Sequence, residues 1–93
     1  MPSSEIALQG LVKGLVQGVF FRLSTQQQAQ KLGLGGWVRN TPDGHVEVCL
    51  TGPEDRVGDM VLWLHKGPAR ARVVQVELAP VAHVHFPDFQ IRR

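Results

Sequence analysis

Two stretches of helical spacing, each framed by β-like segments, confine this chain to a mixed fold with the order β-α-β-β-α-β. The first segment, Ile6 to Lys13, is apolar and β-like. Phe21, Thr25, Ala29 and Leu32 then recur on one side of a helix predicted over Phe21–Leu32, with Gln26, Gln27, Gln28, Gln30 and Lys31 mostly elsewhere. Gly33 stands where a C′ glycine ends a helix. Leu34 to Asn40 reads as a second strand centred on Trp37 and Val38. Thr41-Pro42-Asp43-Gly44 reads as a hairpin turn, because proline presets φ and glycine accepts a positive one. His45 to Thr51 alternates, with Val46, Val48 and Leu50 on one face and Glu47 and Cys49 on the other. Gly52-Pro53-Glu54-Asp55 opens a second helix, with the proline in its first turn and two acids at the positive end of its dipole. Val57, Met60, Val61 and Leu64 follow at i, i+3, i+4 and i+7, a buried stripe that Lys66-Gly67-Pro68 ends. A fourth strand is expected over Ala71–Leu78, with Val74, Val76 and Leu78 alternating. A loop over 79–86 and a short last strand marked by Phe89 and Ile91 complete the chain.

This order matches the split β-α-β plan of the ferredoxin-like two-layer sandwich, an α+β fold with a mixed sheet and two helices on one face. In that plan strands one and two run parallel with strand three between them. Their C-terminal ends then share one end of the sheet, about 10 Å apart. The segment Val16-Gln17-Gly18-Val19-Phe20-Phe21-Arg22 follows strand one, and Asn40 ends strand two. A glycine-bearing loop between a strand and a helix converges several backbone N–H groups on one point, which suits a small anion such as phosphate. Arg22 adds a fixed charge with a planar donor fork. The topology brings Asn40 within reach of the same ligand.

Other function classes are less well supplied. Ninety-three residues suggest one domain over 1–93, burying about 60–65% of its unfolded surface. A lone cysteine, Cys49, excludes an internal disulfide framework. No apolar run approaches the roughly 20 residues that span a membrane. Met-Pro-Ser-Ser-Glu has neither the basic segment nor the apolar core of a signal peptide, so a cytoplasmic protein is expected; a monomer is expected as well. A net charge of +2 suits an anionic ligand and is too small to argue for nucleic acid. Val46 to Leu50 carries no aromatic residue of the kind an RNA-recognition sheet displays. There is no G-K-[ST] sequence, and Gly33-Leu34-Gly35-Gly36 follows a helix rather than a strand, so neither nucleotide loop is present. His45, His65, His83 and His85 lack ligand spacing, and no metal is expected. At least one of Phe20 and Phe21 is expected in the core, with Trp37 and Trp63 in it or at its rim.

Two motifs together resemble the acylphosphatase family. The first family signature, G-x-V-Q-G-V-x-F-R, is similar to Gly14-Leu15-Val16-Gln17-Gly18-Val19-Phe20-Phe21-Arg22. The second, G-W-V-x-N-x-x-x-G-x-V, is similar to Gly36-Trp37-Val38-Arg39-Asn40 through Gly44 and Val46. Trp63-Leu64, Gly67-Pro68-Ala69 and Phe89-Gln90-Ile91-Arg92 extend the likeness over nearly the whole chain. Leu15 departs from it, at a position that is commonly basic in the family. The resemblance implies hydrolysis of the carboxyl–phosphate bond of small acyl phosphates, with no metal or other cofactor. It implies that Arg22 binds phosphate, that Asn40 orients the attacking water, and that the backbone amides of Gln17, Gly18, Val19, Phe20, Phe21 and Arg22 cradle the phosphoryl oxygens. The alternative on this fold is a non-catalytic phosphate-binding or regulatory module, as at the start of a larger hydrogenase-maturation protein. There zinc-finger cysteines follow; this chain has none and runs from Met1 to Arg93, which favours a stand-alone enzyme.

Overall fold

The computed structural model describes residues 4–93. Seven elements follow one another: β1 (Glu5–Leu15), α1 (Phe21–Lys31), β2 (Gly35–Asn40), β3 (Val46–Pro53), α2 (Glu54–Lys66), β4 (Arg72–Pro80) and β5 (Phe89–Arg92). The strands form one sheet in the order β4-β1-β3-β2-β5. β1 and β2 each pair antiparallel with β3, so they run parallel to one another on either side of it. β5 adds to the outer edge of β2 in parallel. This is the ferredoxin-like α+β sandwich that the element order implies.

The core follows from the two-residue period of the strands. Val46, Val48 and Leu50 of β3 are completely buried, beside Val12 of β1 and Val38 of β2. Val57, Met60 and Leu64 of α2 close over them, while Val61 is only partly buried against the cluster. α1 contributes Phe21, Thr25 and Ala29 and packs against β2 and β5. Its apolar stripe is narrow, so the helix is held by packing more than by propensity. Gln26 Nε2 also ties it to the Phe89 carbonyl at 3.1 Å. Of the two aromatic pairs read from sequence, Phe21 is buried against Trp63 with ring centroids 6.0 Å apart. Trp37 is buried on the opposite face of the sheet, where the Arg92 guanidinium lies 5.1 Å from its ring centroid.

Two local readings are corrected, and a third residue has an unread feature. Val74 does not alternate inward with Val76 and Leu78; it is 76% exposed, and Val73 takes the inner position. The cause is a register shift between Lys13 and Gly14, where Lys13 pairs with Gln75 and Gly14 with Val73, leaving Val74 as the extra bulge residue. Pro53 caps α2 from outside and does not sit in its first turn. Cys49 lies opposite the apolar set as its alternation requires, yet it is buried. Desolvation pushes its thiol pKa up, the Arg92 charge pulls it down and Glu47 raises it further.

Turn signals are placed as read. Gly33 follows α1 at φ 71°, and Gly44 closes the β2–β3 turn at φ 92°. Within the sheet, Gly36 has φ 133°, and a Cβ there would stand 1.9 Å from the Cys49 carbonyl oxygen. Gly36→Ala therefore combines left-sided backbone strain with a clash against backbone in the paired strand. It is expected to lower stability by at least about 2 kcal/mol, read as a lower urea midpoint with an unchanged m-value.

Candidate active site

A cavity of about 630 Å³ opens at the end of the sheet where β1, β2 and β5 all point their C-termini. It is lined by Val16, Gly18, Phe20, Phe21, Arg22, Leu23, Asn40, Ile91 and Arg93. The parallel relation of β1 and β2 thus brings Arg22 and Asn40 to one pocket from 18 residues apart in sequence. Asn40 reaches it because it shares the inward face of β2 with Val38, two residues earlier.

The loop is built to leave N–H groups unused. Gly18 has φ 73°, and Phe20, the residue before α1, has φ 60°. A left-handed phenylalanine costs about 1–2 kcal/mol, and such strain gathers at functional sites. The kink divides two adjacent aromatic residues: Phe21 turns into the core, and Phe20 is left 74% exposed at the pocket mouth. The first intrahelical bond of α1 is Ser24 N–H to the Phe20 carbonyl. The amides of Phe21, Arg22 and Leu23 precede it and have no intrahelical acceptor. No side chain caps this helix and its first turn holds no acid. α2, which contributes no residue to this pocket, carries Glu54 and Asp55 in its first turn.

The charge balance of the pocket points the same way. Its lining includes two arginines and no acidic side chain. The ion pairs among the described residues are Lys13–Glu77, Arg39–Glu47 and His83–Glu5, none of which engages Arg22. Asn40 Oδ1 is buried and accepts no hydrogen bond from the described residues. A buried acceptor without a partner costs about 1–3 kcal/mol; among the described residues Thr25 Oγ1 and His45 Nδ1 share this state, and of the three only Asn40 belongs to the pocket lining.

Of the residues singled out by sequence, Gly18, Phe20, Phe21, Arg22 and Asn40 line this pocket, and Gln17 and Val19 do not. Val19 packs against the core. Gln17 sends its side-chain amide across to the β2–β3 hairpin. Thr41 serves its own turn: its hydroxyl donates to Asp43 at 2.5 Å and accepts from His45 N–H at 3.1 Å. That bond to Thr41 is the main cause holding the Asp43 carboxyl below its ordinary pKa. Leu23, Ile91 and Arg93 are pocket residues that the sequence reading did not single out. Ile91 shares a face with Phe89 by strand period, but its place at the pocket depends on β5 pairing in parallel with β2. No short-range signal carries that pairing. Among the described residues no cluster of three or more His, Cys, Asp or Glu is placed to hold a metal ion.

The class defined by these observations is a ferredoxin-like sandwich with an electropositive pocket between an uncapped helix N-terminus and the end of a neighbouring parallel strand. The acylphosphatase family profile matches residues 8–91. An acylphosphatase of Pseudomonas paraeruginosa is 47% identical over 90 residues, covering 97% of this chain and 99% of that protein. Among solved structures, an acylphosphatase from Coxiella burnetii superposes with a TM-score of 0.92 at 38% identity, covering 95% of this chain and 93% of that one. The Bacillus subtilis acylphosphatase superposes with a TM-score of 0.89 at 31% identity, covering 97% of this chain and all of that one. The chain belongs to the acylphosphatase family, and its reaction class is the hydrolysis of acyl phosphates.

Proposed function

We propose that the pocket holds the phosphoryl group of an acyl phosphate on Arg22 and the loop amides while Asn40 aims water at phosphorus. The observation that carries this reading is the shared pocket: a helix start with no side-chain cap, and, among the described residues, an arginine with no acidic partner and a buried amide oxygen with no donor.

The chemistry asks for little else. An acyl phosphate is a mixed anhydride whose leaving group is a carboxylate, the conjugate base of an acid with a pKa of about 4. It departs with the P–O bonding pair and needs no general acid. The transition state spreads charge over the phosphoryl oxygens, so positioning and electrostatic stabilisation supply the catalysis. Arg22 stays protonated and its fork matches two phosphoryl oxygens. Amides fixed by the left-handed Gly18 and Phe20 add donors that need no reorganisation. The Asn40 carbonyl accepts one hydrogen bond from water and orients a lone pair toward phosphorus. Asparagine is a poor base, so the water proton passes to a phosphoryl oxygen. The products are a carboxylate and inorganic phosphate, with the water oxygen on phosphorus.

Turnover in ¹⁸O-labelled water, with a chelator present, tests this directly. The expected result is undiminished turnover with one label in each inorganic phosphate released. Label in the carboxylate instead means that water attacks the acyl carbon, and the pocket assignment is then wrong.

A further inference from the structure

The Gln17 side chain is a direct polar link between the loop and the hairpin that carries Asn40. Its Nε2 donates to two backbone carbonyls, Thr41 at 2.9 Å and His45 at 2.7 Å. Two acceptors on one nitrogen fix the orientation of the amide, since its oxygen would face two carbonyl oxygens. Those carbonyls belong to the neck of the β2–β3 hairpin, where Thr41 N–H also donates to the His45 carbonyl at 2.9 Å. The turn itself is closed by Thr41, Asp43 and Gly44 through bonds internal to it. Gln17 is therefore an external tie, bonded to the residue that follows Asn40. Asn40 Oδ1 accepts no hydrogen bond from the described residues that would hold it in place. Its position depends on the backbone at 40–41, and Gln17 fastens that backbone to the loop that holds Arg22.

We propose that Gln17 is a positioning residue for water attack: it sets the distance between the phosphate cradle and the Asn40 amide. This rests on the water-orienting role of Asn40 set out above. The backbone N–H of Gln17 is a separate matter, since substitution of the side chain leaves it in place. Small displacements matter in such a site, because an error of about 1 Å costs on the order of 10²-fold in rate.

The test is a double-mutant cycle on acetyl phosphate turnover, with inorganic phosphate as competitive inhibitor to report the cradle. Gln17→Met keeps length and removes both donors. It is expected to lower kcat by about 10- to 100-fold while the phosphate inhibition constant stays within about twofold. In an Asn40→Ala background the same substitution is expected to change kcat by less than about twofold, because there is no longer an amide to misplace. Gln17→Glu supplies a second readout: the ionised carboxylate repels both carbonyls, and protonation restores one donor. Its kcat relative to the parent should therefore rise as pH falls through the carboxyl range. Circular dichroism confirms that each variant is folded, and the pH profile of Gln17→Glu decides the matter should Gln17→Met not fold. An equal kcat loss in both backgrounds, a loss that appears in phosphate inhibition, no loss at all, or a flat Gln17→Glu profile overturns the proposal. Undiminished kcat in Asn40→Ala alone overturns the role of Asn40 and this inference with it, whereas failure of the cycle alone leaves Asn40 in its role.

Discussion

Arg22→Ala is expected to remove acyl phosphate turnover and phosphate binding together, with a loss of about 10³-fold or more in kcat/KM. The magnitude follows from two comparisons. A single neutral donor at a developing oxyanion is worth about 10²–10³ in rate, and an arginine placed on a transferring phosphoryl group about 10³–10⁵. Arg22 has no acidic partner among the described residues, so its charge is undiminished toward a ligand. Removing it should cost little stability for the same reason: no ion pair is broken. Inorganic phosphate should fail as a competitive inhibitor of the variant, because the ground-state anion uses the same fork. Arg22→Lys should recover part of the binding and less of the rate, since an ammonium keeps the charge and loses the planar pair of donors. Steady-state kinetics with phosphate inhibition checks all of this. An Arg22→Ala variant with near-normal phosphate affinity removes Arg22 from the cradle.

Asn40→Ala gives a different signature. Its kcat is expected to fall by about 10²-fold or more, the scale of a lost alignment, while phosphate inhibition changes little. An interaction made with water during attack, and not with bound phosphate, lowers kcat and kcat/KM together and leaves ground-state binding alone. Stability should change little, because Asn40 Oδ1 makes no hydrogen bond to another of the described residues that the substitution would break. That combination, a slower enzyme that is no less stable, separates a functional asparagine from a structural turn residue. If KM rises with kcat intact, Asn40 binds substrate and does not position water.

Much of this was readable from local pattern. The alternation of Val46, Val48 and Leu50, the stripe of Val57, Met60 and Leu64, and the Thr41–Gly44 turn all report backbone preferences that tertiary structure leaves standing. The placing of Arg22 and Asn40 in one pocket followed from strand order, which the element sequence constrains strongly. What escaped was set by pairing between distant segments. Val74 looked like a core valine, and only the bulge opposite Gly14 turns it out. Cys49 sits on the face away from the helices, where alternation alone gives no warning of burial. Trp37 on the adjacent strand and Phe86, whose carbonyl comes close to Gly35, belong to that covered side. Ile91 and Arg93 reach the pocket because β5 pairs in parallel with β2, an association that carries no turn signal. Gln17 was read for its backbone amide, and its side chain proves to have two partners of its own 24 and 28 residues away.

Leu15, where the family is commonly basic, ends β1 and is 58% exposed. It does not line the pocket. Arg22 and Arg93 both belong to the pocket lining, whereas position 15 does not.

A structure of the protein with phosphate bound tests the central claim most directly. The account predicts the anion at the start of α1, hydrogen-bonded to amides of residues 17–22, with both ends of the Arg22 fork on its oxygens. It also predicts a water between the anion and Asn40 Oδ1. Phosphate bound elsewhere on the surface, with Arg22 turned to solvent and Asn40 out of reach, contradicts it.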